Sequence, residues 1–206
     1  MRNLVLAIIL SALLSFTNAE ECAALVLEAG GDKGAYQAGA LRGLYEALGP
    51  LQTGYDVVTG VSVGAINAVA YSLYPKNEED EATKWMLEFW RGMTRDKVFV
   101  NWDYSVIEGA FWRSGLFNNS VFIDYVADVA PRKQIFKKVT IGATDTKTGQ
   151  FVRFTEDLGF EELAYNASRA SSSMPGIFPA VEFHNMTLVD GGVINHLDIG
   201  GAVDRC

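Results

Sequence analysis

The sequence predicts an α/β fold organised around a largely parallel sheet. Two short apolar runs, 23–27 and 56–59, each lead into a glycine-containing turn and then into a segment in which apolar or small residues recur at helical spacing. Strand, turn and helix repeated twice within about fifty residues is the pattern of parallel strands joined by helices. The 206 residues are 49% hydrophobic and 20% charged, which suits one globular domain with a core.

The first two helices are predicted directly after these turns. Residues 38–48 carry apolar side chains at every third or fourth position, and Gly49-Pro50 predicts the end of that helix. Residues 65–73 are rich in small side chains and form the second predicted helix, which ends before Pro75.

The second half of the chain predicts one more helix and three more strands. The helix spans 121–130, and the strands span 139–144, 151–154 and 186–189. Lys147-Thr148-Gly149 is the turn predicted between the first two of these strands. Aromatic residues are frequent over 85–117, where they pack against the sheet or, alternatively, form a lipid-facing lid. Since no repeat or linker divides the chain, one domain is expected over 20–206.

Residues 1–19 are predicted to be a secretory signal peptide. Met1-Arg2-Asn3 carries one positive charge, Leu4 to Phe16 is an apolar run of 13 residues, and Thr17-Asn18-Ala19 resembles a cleavage site. Such a run is shorter than the roughly 20 residues that span a bilayer, so no transmembrane helix is expected. A buried first helix or an uncleaved anchor is the alternative. The mature protein is expected to start near Glu20 and to be secreted or to reside in the secretory-pathway lumen.

Secretion changes the interpretation of the cysteines and of the sequons. Cys22 and Cys206 are expected to form a disulfide in an oxidising compartment, and two separate thiols or pairing elsewhere are the alternatives. Asn118, Asn166 and Asn185 each begin an Asn-x-Ser/Thr sequon, and Asn118 is the acceptor expected first.

The charge balance excludes one class of partner. The formal net charge is −8, and no cluster of Lys or Arg provides a footprint for phosphates, which argues against a nucleic-acid partner. The same charge argues against electrostatic docking on anionic membranes. An enzyme directed at lipids would therefore engage their surface through apolar contacts.

Gly60-Val61-Ser62-Val63-Gly64 predicts a nucleophile. It is a G-x-S-x-G pattern between a predicted strand and a predicted helix, and Gly60 and Gly64 permit the sharp turn that exposes a serine hydroxyl. The helix behind the turn favours the negative charge that develops in acyl transfer. The alternative is that Ser62 only caps this helix.

A serine hydroxyl needs a base, and the sequence offers two arrangements. His196 could complete a Ser-His-Asp triad, since the chain contains only His184 and His196. Alternatively, Asp190 accepts the proton directly, because Gly191 and Gly192 after it let the backbone turn closely past the nucleophile.

The turn Gly31-Asp32-Lys33-Gly34 is the candidate oxyanion hole. At the start of a helix, its successive backbone N–H groups can point into one concavity. A dinucleotide-binding motif is excluded because Ala29 occupies its first glycine position, and a P-loop is excluded because no Lys-Ser or Lys-Thr follows. No cofactor and no metal are expected.

These segments together resemble the signature blocks of the patatin-like phospholipases. The similarity covers roughly residues 23–195 and rests on four blocks: Gly30-Gly31-Asp32-Lys33-Gly34, Gly60-Val61-Ser62-Val63-Gly64, Ala170-Ser171 with Met174-Pro175-Gly176-Ile177-Phe178-Pro179, and Asp190-Gly191-Gly192. The resemblance implies a three-layer α/β/α sandwich, a Ser62–Asp190 dyad without histidine and an oxyanion hole at 31–34. It also implies a lipid substrate at a membrane or micelle surface, with hydrolysis of fatty-acyl esters and no required metal.

Three departures from the family pattern are visible. Ala29 replaces a usual glycine, Lys33 stands where arginine is common, and the sequence ends 16 residues after Asp190, where many members continue. A C-terminally short domain is therefore one expectation. The alternatives to a dyad hydrolase are a Ser-His-Asp carboxylesterase and a secreted paralogue without catalytic activity.

Overall fold

Six strands among the described residues form one sheet, in a computed structural model that describes residues 22–103 and 105–206. The strands are β1 (Ala24–Leu27), β2 (Val57–Val61), β3 (Lys138–Asp145), β4 (Gln150–Thr155), β5 (Val181–Phe183) and β6 (Met186–Asp190). Their order is β1-β2-β3-β6-β5, and β4 pairs with β3 outside this path. β1, β2 and β3 are parallel, whereas β4, β5 and β6 join in antiparallel pairs.

Helices lie in the connections from β1 to β2, from β2 to β3 and from β4 to β5, and one more follows β6. They are α1 (Gly34–Leu48), α2 (Pro50–Thr53), α3 (Val63–Ser72), α4 (Glu79–Arg91), α5 (Arg95–Val98), α6 (Ser105–Trp112), α7 (Ser120–Asp128), α8 (Gly159–Glu161), α9 (Ser168–Ser171) and α10 (Ile199–Val203). A π-helical turn, Glu162–Ala167, joins α8 to α9. The helices predicted at 38–48, 65–73 and 121–130 correspond to α1, α3 and α7.

Two predictions from the sequence concern the signal peptide and membrane-spanning helices. The predicted signal peptide, residues 1–19, lies outside the described residues. Within the part of the chain that the structure describes, no helix has both the length and the apolarity needed to cross a bilayer.

Helix α3 lies against the centre of the sheet, and all ten of its residues are buried. Small residues permit this close approach, because a Cβ atom at Gly60 of β2 would overlap the backbone of Gly64, and one at Gly64 would overlap the carbonyl of Leu27. Val58 of β2 faces the same side and packs in the main core with Ala65.

The opposite face of the sheet is covered by the C-terminal helix. Thr59, which alternates in β2 with the residues that face α3, donates from Oγ1 to the carbonyl of Asp198 at 3.1 Å. Asp198 precedes α10 and accepts from the backbone N–H of Gly201. Helices therefore pack on both faces, and the predicted α/β/α fold class is confirmed.

One feature of the sheet brings distant residues together. β2 pairs with β3 up to Val61 beside Gly142, and β6 pairs with the next residue of β3, with Asp190 beside Ala143. Since β4 pairs with these same β3 residues, β2 and β6 share the other edge of β3 and meet end to end there. The carboxyl ends of both strands therefore converge, and Ser62 follows Val61 directly.

Two further contacts join distant parts of the chain outside this region. Cys22 and Cys206 are joined in a disulfide across a sequence separation of 184 residues. Lys137, beside the start of β3, forms an ion pair with Glu79 of α4 at 3.2 Å, with the side chains only 2% and 1% exposed. Burial lowers the pKa of Lys137, and Glu79 partly offsets that effect.

Candidate active site

Ser62 occupies a strained turn between β2 and α3. Its backbone has φ 57° and ψ −126°, a conformation that a residue with a side chain rarely adopts. The turn places the serine at the N-terminus of α3, where backbone N–H groups and the helix dipole favour negative charge. Ser62 is 5% exposed. Gly60 and Gly64 lie on either side of Ser62. Because neither has a Cβ atom, the backbone segments around the turn can approach each other closely.

Ser62 and Asp190 are in direct contact. The hydroxyl Oγ of Ser62 donates to Oδ2 of Asp190 at 2.7 Å, across a sequence separation of 128 residues. The other carboxylate oxygen of Asp190 accepts from the N–H of Gly192 at 2.7 Å, so each of its two oxygens accepts a hydrogen bond. A Cβ at Gly191 would overlap the carbonyl of Gly142, so glycine is required there too.

The environment of Asp190 strengthens it as a base. Burial disfavours the charged carboxylate and raises the pKa of Asp190. The hydrogen bonds from Ser62 and from the N–H of Gly192, and the positive charge that His196 can carry, act in the opposite direction, but burial is the larger effect. A carboxylate whose pKa lies above its usual range takes a proton from a hydroxyl more readily.

The two histidines lie outside the Ser–Asp contact. His184 lies in the turn between β5 and β6, where its ring is 3.2 Å from a carboxylate oxygen of Glu162. His196 donates no side-chain hydrogen bond to Ser62 or Asp190 among the described residues, although its carbonyl accepts from the N–H of Ala29 at 2.9 Å. The geometry therefore pairs the hydroxyl with the carboxylate directly.

The segment 171–173, before β5, is hydrogen-bonded to the backbone of both Ser62 and Asp190. Ser171 Oγ accepts from the backbone N–H of Ser62 at 2.8 Å and donates to the carbonyl of Gly142 at 2.6 Å. Two residues later, the carbonyl of Ser173 accepts from the N–H of Asp190 at 2.9 Å. Sequence reasoning noticed Ala170-Ser171 only as part of a family block and gave Ser171 no role.

The predicted oxyanion turn lies beside Ser62. Residues Gly31–Lys33 form a 3₁₀ turn in which Gly31 has φ +57°. Hydrogen bonds inside the turn already use the N–H groups of Lys33 and Gly34, which donate to Gly30 and Gly31. Gly31 and Asp32, at the start of the turn, line the same cavity as Ser62. Their N–H groups precede the first bond of the turn and are the ones available to a ligand.

A buried amide holds this turn in place. Asn67 of α3 is 1% exposed, and its Nδ2 donates to the carbonyl of Gly34 at 3.1 Å and to Oε1 of Gln37 at 2.8 Å. Its Oδ1 accepts from Nε1 of Trp90 at 2.8 Å. Sequence reasoning missed Asn67, although a lone amide in the small-residue helix 65–73 was the available signal.

A cavity of about 610 Å³ opens beside the pair. Most of its wall is apolar, and two acidic or basic side chains, Asp32 and Arg95, lie in that wall apart from Asp190. Its main apolar wall residues are Val63, Ile66, Trp90, Val98, Phe99, Phe122, Ile177 and Phe178. Of the aromatic segment 85–117, part therefore lines this cavity, whereas Trp85 and Phe89 stack on each other with ring centroids 5.5 Å apart.

The three sequons differ in their surroundings. Asn118 is half-buried, and its Oδ1 accepts from the backbone N–H and the hydroxyl of Ser120. Asn166 is half-buried within the π-helical turn. Asn185 is exposed in the turn between β5 and β6, so exposure favours Asn185 over Asn118 as an acceptor. In the described ranges, no three His, Cys, Asp or Glu side chains are grouped as metal ligands would be.

Comparisons with known proteins give this geometry a context. A family model described as patatin-like phospholipase matches residues 25–203. The curated protein "Lysophospholipase nte1" of Aspergillus terreus (strain NIH 2624 / FGSC A1156) is 25% identical over an alignment of 182 residues that covers 85% of this chain and 10% of that protein. The crystal structure of VipD from Legionella pneumophila matches with a TM-score of 0.56 at 14% identity, over 86% of this chain and 47% of that one.

This chain matches only a part of each of these two proteins. The chain spans about a tenth of the length of the curated relative and under half of VipD. At 14% identity, the likeness to VipD shows a shared fold.

Proposed function

Because this chain belongs to the patatin-like phospholipase family, we propose that it is a lipid acyl hydrolase that acts through an acyl-Ser62 intermediate, with Asp190 as its base. The observation that carries this proposal is the 2.7 Å hydrogen bond from Ser62 to Asp190 at the edge of an apolar cavity. A base in contact with the nucleophile, beside room for an apolar acyl chain, is what ester hydrolysis through serine requires.

The mechanism follows from the positions of these groups. Asp190 accepts the proton of Ser62 as Oγ attacks the acyl carbonyl carbon, and the N–H groups of Gly31 and Asp32 stabilise the oxyanion that forms. When this intermediate collapses, the alcohol leaves with the proton from Asp190. Water then gives a proton to Asp190 and attacks the acyl-Ser62 ester, which releases the fatty acid and restores the hydroxyl.

The cavity supports an apolar acyl group as the substrate portion bound in the protein. Cavities of about 300–1,000 Å³ hold small-molecule ligands, and 610 Å³ falls in that range. The name of the curated relative, a lysophospholipase, fits a substrate with a single fatty-acyl chain. A phospholipid or glycerolipid ester is therefore the proposed substrate class.

Turnover of p-nitrophenyl acyl esters of several chain lengths tests the proposal. We expect the wild type to turn over, and Ser62→Ala and Asp190→Asn to lose at least about a thousandfold in kcat while remaining folded by circular dichroism. An inert wild-type protein, or an Asp190→Asn variant of near wild-type rate, would contradict the proposed dyad.

The histidines offer a second test of the same mechanism. Replacing His184 and His196 together by Ala should leave ester turnover within a few-fold of wild type, since the hydroxyl of Ser62 is hydrogen-bonded to Asp190 and to neither ring. A loss as large as that of Ser62→Ala would favour a triad instead.

We also propose that the protein is secreted after cleavage of residues 1–19. The leader pattern and the Cys22–Cys206 disulfide support this proposal, because structural disulfides are typical of oxidising compartments. Mass spectrometry of protein recovered from the medium of a secreting host should find a first residue near Glu20. Protein that stays in the cell with Met1 intact would contradict it.

A further inference from the structure

Two large apolar side chains lie exposed on helix α6. Phe111 and Trp112, the last residues of this helix, are 77% and 75% exposed, and their ring centroids are 5.9 Å apart. Single exposed apolar residues are common on protein surfaces, but an adjacent pair of large aromatic residues points to an apolar partner.

Helix α6 packs onto the wall of the acyl cavity through two tight backbone contacts. A Cβ at Gly109 of α6 would overlap the carbonyl of Gly115, and one at Gly115 would overlap the backbone of Phe178. Next to this contact, the N–H of Phe117 donates to the carbonyl of Ile177 at 2.9 Å. Because Ile177 and Phe178 line the cavity, the segment 115–117 connects α6 to the cavity wall.

Exposed apolar residues also lie at the cavity itself. Phe99 and Met174 line it and are 38% and 46% exposed, so they mark its opening. The ring of Phe99 stacks on Phe178 with centroids 5.8 Å apart, which links the opening to the wall on which α6 packs. We call Phe99, Phe111, Trp112 and Met174 the apolar rim.

The charges near the rim favour one kind of surface. On α6 and just after it, Glu108 pairs with Arg113 at 2.8 Å. The exposed charges of the cavity wall, Asp32 and Arg95, are of opposite sign, so the charges near the rim balance. The whole sequence carries a formal net charge of −8, which is repelled by anionic lipid. An uncharged apolar interface is therefore the complementary partner.

We propose that the apolar rim docks on a lipid surface of zwitterionic, electrically neutral headgroups. Tryptophan and phenylalanine side chains are favourable at the level of lipid headgroups, because their rings are transferred there from water into an apolar environment. This inference rests on the proposed lipid hydrolase function, because docking places the cavity opening at the source of its substrate. Phe111 and Trp112 supply apolar contact, and a lipid chain enters beside Phe99 and Met174.

Vesicle binding tests the docking directly, without turnover. Ser62→Ala protein that starts near Glu20, as secretion is proposed to leave it, is mixed with phosphatidylcholine vesicles and separated by flotation, alone and with Phe111→Ser and Trp112→Ser added. We expect the double rim substitution to weaken binding at least tenfold. The matched control carries Leu51→Ser in α2 and Val203→Ser in α10, which remove apolar side chains that are 93% and 69% exposed and lie outside the rim, and it should bind as its parent does.

Activity separates a failure of docking from a failure of the proposed function. With Ser62 restored, the double rim variant should turn over a soluble p-nitrophenyl butyrate normally and lose at least tenfold on vesicle substrate. Equal binding by rim and control variants would overturn docking, while soluble-ester turnover by wild type would keep the hydrolase proposal. Binding that requires anionic lipid and disappears with salt, or a rim buried in a dimer by analytical ultracentrifugation, would also overturn docking.

Discussion

Replacing Ser171 by Ala should slow catalysis as well as destabilise the fold. The substitution removes the acceptor of the Ser62 N–H, at 2.8 Å, and the donor to the Gly142 carbonyl, at 2.6 Å, in a residue that is 0% exposed. A buried donor without a partner costs about 1–3 kcal/mol, which lowers Tm by roughly 2–4 °C per kcal/mol in a chain of this size. The strained backbone of Ser62 also loses the bond that fixes it, and a displacement of about 1 Å at a nucleophile costs on the order of a hundredfold in rate.

Steady-state kinetics on a soluble ester measure this effect. We expect kcat to fall by about 10- to 100-fold with little change in KM, since Ser171 does not line the cavity. Labelling by a fluorophosphonate should slow to a similar extent. Ser171→Cys, which keeps a weak donor and acceptor, should fall between wild type and Ser171→Ala.

Ser72→Ala is the matched control for this experiment. Ser72 is also 0% exposed, but its Oγ donates to the carbonyl of Val69 in its own helix and contacts neither catalytic residue. It should lose some stability and keep kcat. If Ser171→Ala shows the same pattern, with kcat within about twofold of wild type, the bond to Ser62 supports the fold only and the argument is refuted.

Three further predictions concern buried charge and the disulfide. Because burial raises the pKa of Asp190, ionisation of this one carboxyl costs the folded protein stability as pH rises above about 4, so Asp190→Asn should raise Tm at pH 7 relative to wild type and lose this advantage at pH 3 in thermal melts. Cys22→Ser with Cys206→Ser should lower the free energy of unfolding by about 5 kcal/mol in urea titrations, from the closed loop of 184 residues, and a loss under about 1 kcal/mol would contradict the chain-entropy estimate. Lys137→Met should cost about 3–5 kcal/mol by leaving Glu79 buried and unpaired, and adding Glu79→Leu should recover most of it; a double variant no better than the single would contradict this.

The turns that carry Ser62 and Asp190 were predictable because their backbone geometry requires glycine at fixed positions in the sequence. The turn at Ser62 requires glycine at positions 60 and 64, and the turn after Asp190 requires Gly191, since a Cβ at any of them would overlap a neighbouring backbone. Glycines at fixed spacing around a polar residue are visible without a structure. The strands and helices that carry these glycines were also predictable from a local pattern, the periodicity of apolar residues.

The residues that hold the site in place left no such trace. Ser171 is followed by Ser172 and Ser173, and these three differ only in what surrounds them in the fold. Asn67 acts on Gly34 and Trp90, which lie 33 and 23 residues away in the sequence. Polar contacts of this kind depend on which segments pack together, and periodicity carries no information about that.

The contact between Ser62 and Asp190 depends on the register of β6 on β3. Side chains alternate between the faces of a strand, so a shift of one residue from the observed pairing of Asp190 with Ala143 would turn the carboxylate to the opposite face. The backbone bond from Asp190 to the Ser173 carbonyl opposes this shift from outside the sheet. Since Ser171 holds the nucleophile, the segment 171–173 fixes both partners to the same piece of chain. The catalytic distance is therefore set by one segment that touches both residues, and a substitution there should disturb the pair even when each strand stays intact.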